Sequence, residues 1–194
     1  MSRGNISWSV LLVLICGAAF VAPASAQHFQ QVTGTPAGVA TDRNEVFGFD
    51  KHAAVWRYRP TTASFGKIAG VKLVQIAVGG TVSQLDEVWG LDANSNVFQF
   101  NYSSKSFDQI SGVFSQISVG EGDQDDCHPY EVWGINSGEA IFRYNYCTSA
   151  FEAIGGSLTH VATGGGDDVW GLNGAGEIFH SNFSRNRSGW FQVR

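Results

Sequence analysis

The sequence predicts an all-β protein of four repeats, each folding into one four-stranded antiparallel sheet. Three observations predict it. Four short apolar fragments recur in the same order from residue 29 to residue 193. Their spacing stays near forty residues, with successive copies of the first fragment starting 36, 42, 44 and 39 residues apart. Aromatic residues within a fragment stand two apart, as on one face of a strand, and nothing after residue 26 has helical spacing. A unit of about forty residues made of four short strands is the pattern of a β-propeller blade.

The chain opens with Arg3, the apolar run "WSVLLVLICGAAFVA" and then Ala24-Ser25-Ala26, a small-x-small cleavage site. The run is too short to span a bilayer, so residues 1–26 are expected to be a secretory signal peptide and residues 27–194 the propeller. Cys16 follows Ile15 where a lipoprotein anchor would need a small residue. Cleavage removes one cation and no acid, so the net charge of −5 becomes more negative still. Such an acidic chain offers no basic stripe to nucleic acid, and no second apolar segment to a membrane. The expected location is therefore extracellular or periplasmic, where Cys127 and Cys147 form an even pair in an oxidising compartment.

Taken in order, the first fragment is Phe-x-x-(Ile/Val), at Phe29/Val32, Phe65/Ile68, Phe107/Ile110 and Phe151/Ile154, with a last copy at Trp190/Val193. It divides the chain into repeats of roughly 29–64, 65–106, 107–150 and 151–193. The second fragment, "GVAT", "QIAVG", "QISVG" or "HVATG", carries a small residue at Ala40, Ala77, Ser118 and Ala162. Small side chains suit crowded strands, so this fragment is placed near the axis. The third is an acid, a Val, an aromatic and a Gly, with Gly48, Gly90, Gly134 and Gly171 leaving room for a close approach. The fourth, "AVWRY", "NVFQF", "AIFRY" or "EIFHS", is placed at the rim. Asp50, Asp92, Asn136 and Asn173 stand between the third and fourth, and such residues make turns by bonding their own backbone. Cys127 falls just before a third fragment and Cys147 just after the fourth, so their hairpin predicts a disulfide that staples the acidic insertion to the blade edge. There is one strand more than four blades require. Once Trp190–Val193 completes the last blade, the strand at Phe29–Val32 is left over, which predicts either a tight four-bladed ring or a homo-oligomer joined through that strand.

The repeated "VWG(L/I)(N/D)…(G/N)-x-(I/V)F-x-x-N", preceded by "(I/V)(A/S)VG", resembles the tectonin repeat of tectonin-type β-propeller lectins. The resemblance covers nearly all of residues 27–194. Repeats two to four match well, whereas the first has Phe47 in place of Trp and Arg59-Pro60 in place of Asn-aromatic. Lectins of this type usually close with five or six blades. The resemblance implies glycan recognition in grooves between blades or at their edges.

Three sets of residues are candidates for that role. Trp89, Trp133 and Trp170 are able to stack on a sugar ring or to pack blade against blade. Asn101-Tyr102, Asn145-Tyr146 and Asn182-Phe183 follow the fourth fragment. An amide beside a ring matches both the hydroxyls and the apolar face of a sugar, and the same pair also makes an ordinary turn. Glu45, Glu87, Glu131 and Asp168 recur once per blade, as ligand contacts or as blade-to-blade hydrogen bonds.

No cofactor or metal is expected. The insertion "GEGDQDDCHPYE" places Glu121, Asp123, Asp125 and Asp126 near His128 without the Gly and closing Glu of a calcium loop. Gly164-Gly165-Gly166 is followed by no Lys-Ser/Thr and by no helix, so it is not a phosphate loop. Glycoside hydrolysis needs one distinctive pair of carboxylates, and the acids here are spread evenly over the repeats. The sequence thus predicts a secreted, non-enzymatic propeller that binds clustered surface glycans multivalently, with a protein-binding propeller as the alternative.

Overall fold

The computed structural model describes residues 36–193 except 44, 82–83, 126, 166–167 and 183–188, and only the backbone at 123–125 and 182. The signal peptide and the strand expected at Phe29–Val32 lie outside the described residues. The rest forms four four-stranded antiparallel sheets, each an up-and-down meander. The first contains β1 (Gly38–Asp42), β2 (Glu45–Phe49), β3 (Ala54–Arg59) and β4 (Ser64–Lys72). The second contains β5 (Gln75–Gly79), β6 (Glu87–Leu91), β7 (Asn96–Asn101) and β8 (Ser106–Val113). The third contains β9 (Gln116–Asp125), β10 (His128–Ile135), β11 (Ala140–Asn145) and β12 (Ala150–Ser157). The fourth contains β13 (His160–Thr163), β14 (Asp168–Leu172), β15 (Ile178–Asn182) and β16 (Trp190–Gln192).

The sheets are out of step with the repeats counted from Phe29. Each begins at a second fragment and takes the first fragment of the next repeat as its outermost strand, as Phe65–Ile68 does in β4. The fourth fragment therefore occupies the third strand, and the rim belongs to Phe-x-x-(Ile/Val).

The hairpin between second and third strands is the same in every sheet, because one side chain builds it. Asp50, Asp92, Asn136 and Asn173 each accept, through Oδ1, the N–H groups two and four residues on, at 2.8–3.1 Å. The residue three on is left-handed: Ala53, Ser95, Glu139 and Gly176, with φ of 62°, 68°, 64° and 80°. The carbonyls of the first three receive the N–H groups of Leu73, Phe114 and Leu158 at 2.9–3.0 Å. These buried residues join one sheet to the next. Each side chain lies on the glycine of the following sheet, where a Cβ on Gly90, Gly134 or Gly171 would run into Leu73, Phe114 or Leu158. The room anticipated beside these glycines is filled by the incoming linker.

Three apolar clusters fill the three spaces between sheets. Phe47 meets Phe100 and Phe107 between the first and second, and Trp89 meets Tyr144 and Phe151 between the second and third. Trp133 meets Trp190 between the third and fourth. Nearer the axis the first strands pack side by side, β1 on β5, β5 on β9 and β9 on β13. Gln75 grips the backbone of Ile117 through two hydrogen bonds of 3.1 and 3.3 Å, and Gln116 grips Val161 in the same way at 2.9 and 2.8 Å. Among the described residues no comparable packing joins β13 back to β1. The sheets thus pack in series from first to fourth, and among the described residues the packing that would close them into a tight four-bladed ring is not found. Cys127 and Cys147 are joined by a disulfide, which ties the tip of the β9–β10 hairpin to the turn after β11.

The linker contact sets a test. Gly134→Ala would place a methyl group 2.6 Å from the Phe114 ring, so it is expected to destabilise the protein by about 1–3 kcal/mol. Gly155→Ala, which meets nothing within 4 Å, is the control and should leave the melting temperature unchanged.

Candidate functional site

The recurring acid of each second strand, two residues before its aromatic, has a partner twelve residues on, in the third strand. Antiparallel register sets Phe47 opposite Arg57, Trp89 opposite Gln99, Trp133 opposite Arg143 and Trp170 opposite His180. The acid two residues before each aromatic shares its face and so reaches the same partner. Each sheet thus carries an acid, an aromatic and an Arg, Gln or His in one cluster.

The four clusters differ in chemistry. Arg57 makes a two-pronged pair with Glu45, its Nε donating at 2.8 Å. Hydrogen bonding to that carboxylate pushes the guanidinium further up from its already high pKa. Arg143 pairs in the same way with the fully buried Glu131, which also accepts from Trp133 Nε1. Glu87 has no cation in its cluster. Its Oε2 accepts from Trp89 Nε1 and Gln99 Nε2, both at 2.9 Å, and burial holds its carboxyl above the ordinary value against those two bonds. In the fourth sheet His180 stacks on Trp170, centroids 4.4 Å apart, and its Nε2 lies 2.6 Å from Asp168.

The turn aromatic of one sheet closes over the cluster of the sheet before it. Tyr102 places its ring 5.3 Å from the Arg57 guanidinium and donates its hydroxyl to the Asp86 carbonyl at 2.7 Å. Tyr146 packs into the cluster of Trp89 and Tyr144, and burial raises its phenol. The expected site residues are therefore brought together across repeats, with Tyr102 over Glu45 and Arg57, and Tyr146 over Trp89. Trp89 and Trp133 are fully buried wedges without a free ring face, whereas Trp170 is 40% exposed. Asn101 and Asn145 build turns, each accepting two backbone N–H groups and donating its amide to Asp108 or Glu152. The Asn182 side chain and Phe183 lie outside the described residues. Glu45, Glu87 and Asp168 accept hydrogen bonds from partners in their own sheet, where ligand contacts or blade-to-blade bonds were expected. Arg57, Gln99, Arg143 and His180 were missed, although each stands at one fixed position of the fourth fragment.

Two openings flank these clusters. A groove of about 570 Å³ runs along the outer edge between the first two sheets, with Arg57 in its wall and Arg59, Pro60, Lys67 and Lys105 around it. At the axis the ends of the four first strands enclose about 230 Å³, where Arg43 reaches across to Glu121 at 3.7 Å.

Meander sheets set around an axis, each wedged against the next by an aromatic, define a β-propeller. The tectonin domain model matches residues 21–194, and the chain belongs to the tectonin domain family. Its fold is similar to human WBSCR16, with a TM-score of 0.62 at 13% identity over 86% of this chain and 55% of that one. It is similar to the SapL1 lectin, solved in complex with alpha methyl fucoside, with a TM-score of 0.56 at 17% identity over 84% and 63%. The WD40 repeats of RRP9 give 0.55 at 9% over 82% and 56%. The chain thus spans just over half the length of these structures. No curated protein matched it in sequence.

The contrast between two clusters is testable. Glu87 holds its proton more tightly folded than unfolded, so its ionisation costs stability as pH rises through 4.5 and above. Glu87→Gln should raise the melting temperature at neutral pH and leave it unchanged well below pH 4.5. Glu131→Gln should do the opposite at neutral pH, lowering stability by about 3–5 kcal/mol, because Arg143 keeps its charge in a buried site.

Proposed function

We propose that this protein is exported and binds glycans on surfaces, through the clefts between successive sheets. The observation that carries the reading is the acid and Arg or amide pair beneath a tyrosine from the next sheet, at Glu45, Arg57 and Tyr102 and again at Glu87, Gln99 and Tyr146. Sugar hydroxyls need donors and acceptors together, and the sugar's C–H face needs a ring. The Glu45 pair uses two of the five N–H groups of Arg57, which leaves donors for a ligand. The groove beside this cleft, which shares Arg57 with the cluster but is not lined by Glu45 or Tyr102, is large enough for a saccharide unit and is open to solvent. The fucoside held by the similarly folded SapL1 lectin adds support.

The groove between the first two sheets is the leading site. Arg59, Lys67 and Lys105 make its surroundings cationic on an acidic chain, so saccharides bearing carboxylate or sulfate fit it best. A shallow cleft of this kind holds one sugar weakly. Repetition on one rigid body raises avidity on a dense glycan layer by about 10² to 10⁴.

A glycan array followed by titration tests the reading. Tyr102→Ala is expected to keep the fold and to cut surface binding at least tenfold, and Lys105→Ala to weaken binding to anionic glycans while flattening its salt dependence. Wild-type protein that binds no glycan at any density, or a folded Tyr102→Ala that binds as the wild type does, overturns it and favours a protein-binding propeller.

A further inference from the structure

We infer that a second copy of this chain completes the ring, the first sheet of each copy covering the fourth sheet of the other. The inference is independent of the glycan reading. It rests on the same position having two different fates. Phe47, Trp89 and Trp133 are fully buried because another sheet follows, whereas Trp170, at the same place in the fourth sheet, is 40% exposed. Around it lies an apolar hollow of about 330 Å³ that includes Ala162, Leu172 and Ile178, the last itself 49% exposed.

The opposite end of the arc is open on the complementary side. Ile76, Ile117 and Val161 are buried against the sheet before them, at 9%, 2% and 3% exposure, but Val39, their counterpart in β1, is 63% exposed. Beside it Tyr58 and Phe65 pair with each other, ring centroids 5.5 Å apart. Their counterparts in the second sheet, Phe100 and Phe107, cover Phe47 of the first. The two open faces are thus the two halves of an interface that the chain already makes three times. In one chain they stand at opposite ends of an arc. In two chains they meet twice.

Geometry favours one further copy over many. The chain covers 55% and 63% of two propellers whose fold it resembles, which leaves about 0.8 and 0.6 of its own share uncovered, room for one further copy at most and not for several. Two copies give eight sheets, within the usual range of about four to eight blades, and one twofold axis relates both junctions. The fourth cluster would be completed by this contact. Trp170, Asp168 and His180 would gain the cover that Tyr144 and Tyr146 give Trp89, supplied by Tyr58 and the Arg59-Pro60 turn of a second copy.

The test is the solution mass of the full chain by sedimentation across a dilution series. The expected result is twice the chain mass, with Trp170→Glu and Val39→Arg each giving a monomer that retains the far-ultraviolet spectrum of the wild type. The two substitutions lie on opposite faces, so misfolding of one leaves the other to decide. A wild-type monomer at every concentration overturns the inference. So does a dimer that survives both substitutions, or a ladder of ever larger masses, which would mean that the faces meet without closing.

Discussion

A meander of four strands has two broad faces, and in this chain both are apolar along much of their width. No segment of the same sheet is left to cover them. The only available cover is the next sheet, and everything else in the molecule follows from that need. The wedge aromatics fill the wide outer part of each gap, small residues line the narrow inner part, and the linkers Leu73, Phe114 and Leu158 seal the base. Even the second-strand glycines of the last three sheets, Gly90, Gly134 and Gly171, belong to this scheme, since each yields its side-chain space to the linker from the preceding sheet.

Three of the polar clusters sit where two sheets meet and the fourth stands at an open face, which is part of why one pattern yields four environments. The position opposite the wedge aromatic is Arg in two sheets, Gln in another and His in the last. With Arg the acid is balanced and tied down by two hydrogen bonds. With Gln it is satisfied by hydrogen bonds but left with a charge that burial opposes. With His it stands half in solvent beside an exposed indole. Local sequence sets the chemistry of each cluster, and the presence or absence of a following sheet sets its burial.

Much of this was legible in the sequence. Repeat spacing, period-two aromatics and the turn residues Asp50, Asp92, Asn136 and Asn173 identify the strands and hairpins, because each is fixed by contacts within a few residues. The Cys127–Cys147 pairing was legible for the same reason. What escaped was decided between distant segments. Phe65–Ile68 finishes one sheet although it opens a sequence repeat, and nothing local says so. Trp133 and Trp170 stand in the same phrase, and only the third dimension makes one a core residue and the other a surface one. Arg57 and Arg143 were passed over because a cation between two aromatics resembles a solvent-facing residue until the cross-strand register shows the acid it meets.

The turn built by Asp92 or Asn136 has a kinetic side. Every strand pairing in a sheet joins neighbours in sequence, through loops closed by one side chain, so hairpins form early and nearly independently. The slow and cooperative step is the docking of one finished sheet on another. A molecule assembled this way behaves as a short linear array, in which inner units are held from both sides and end units from one. In a lone chain, opening should therefore begin at the first and fourth sheets and stop at the second and third, where hydrogen exchange would be slowest, and a second copy seated on both ends would remove that difference.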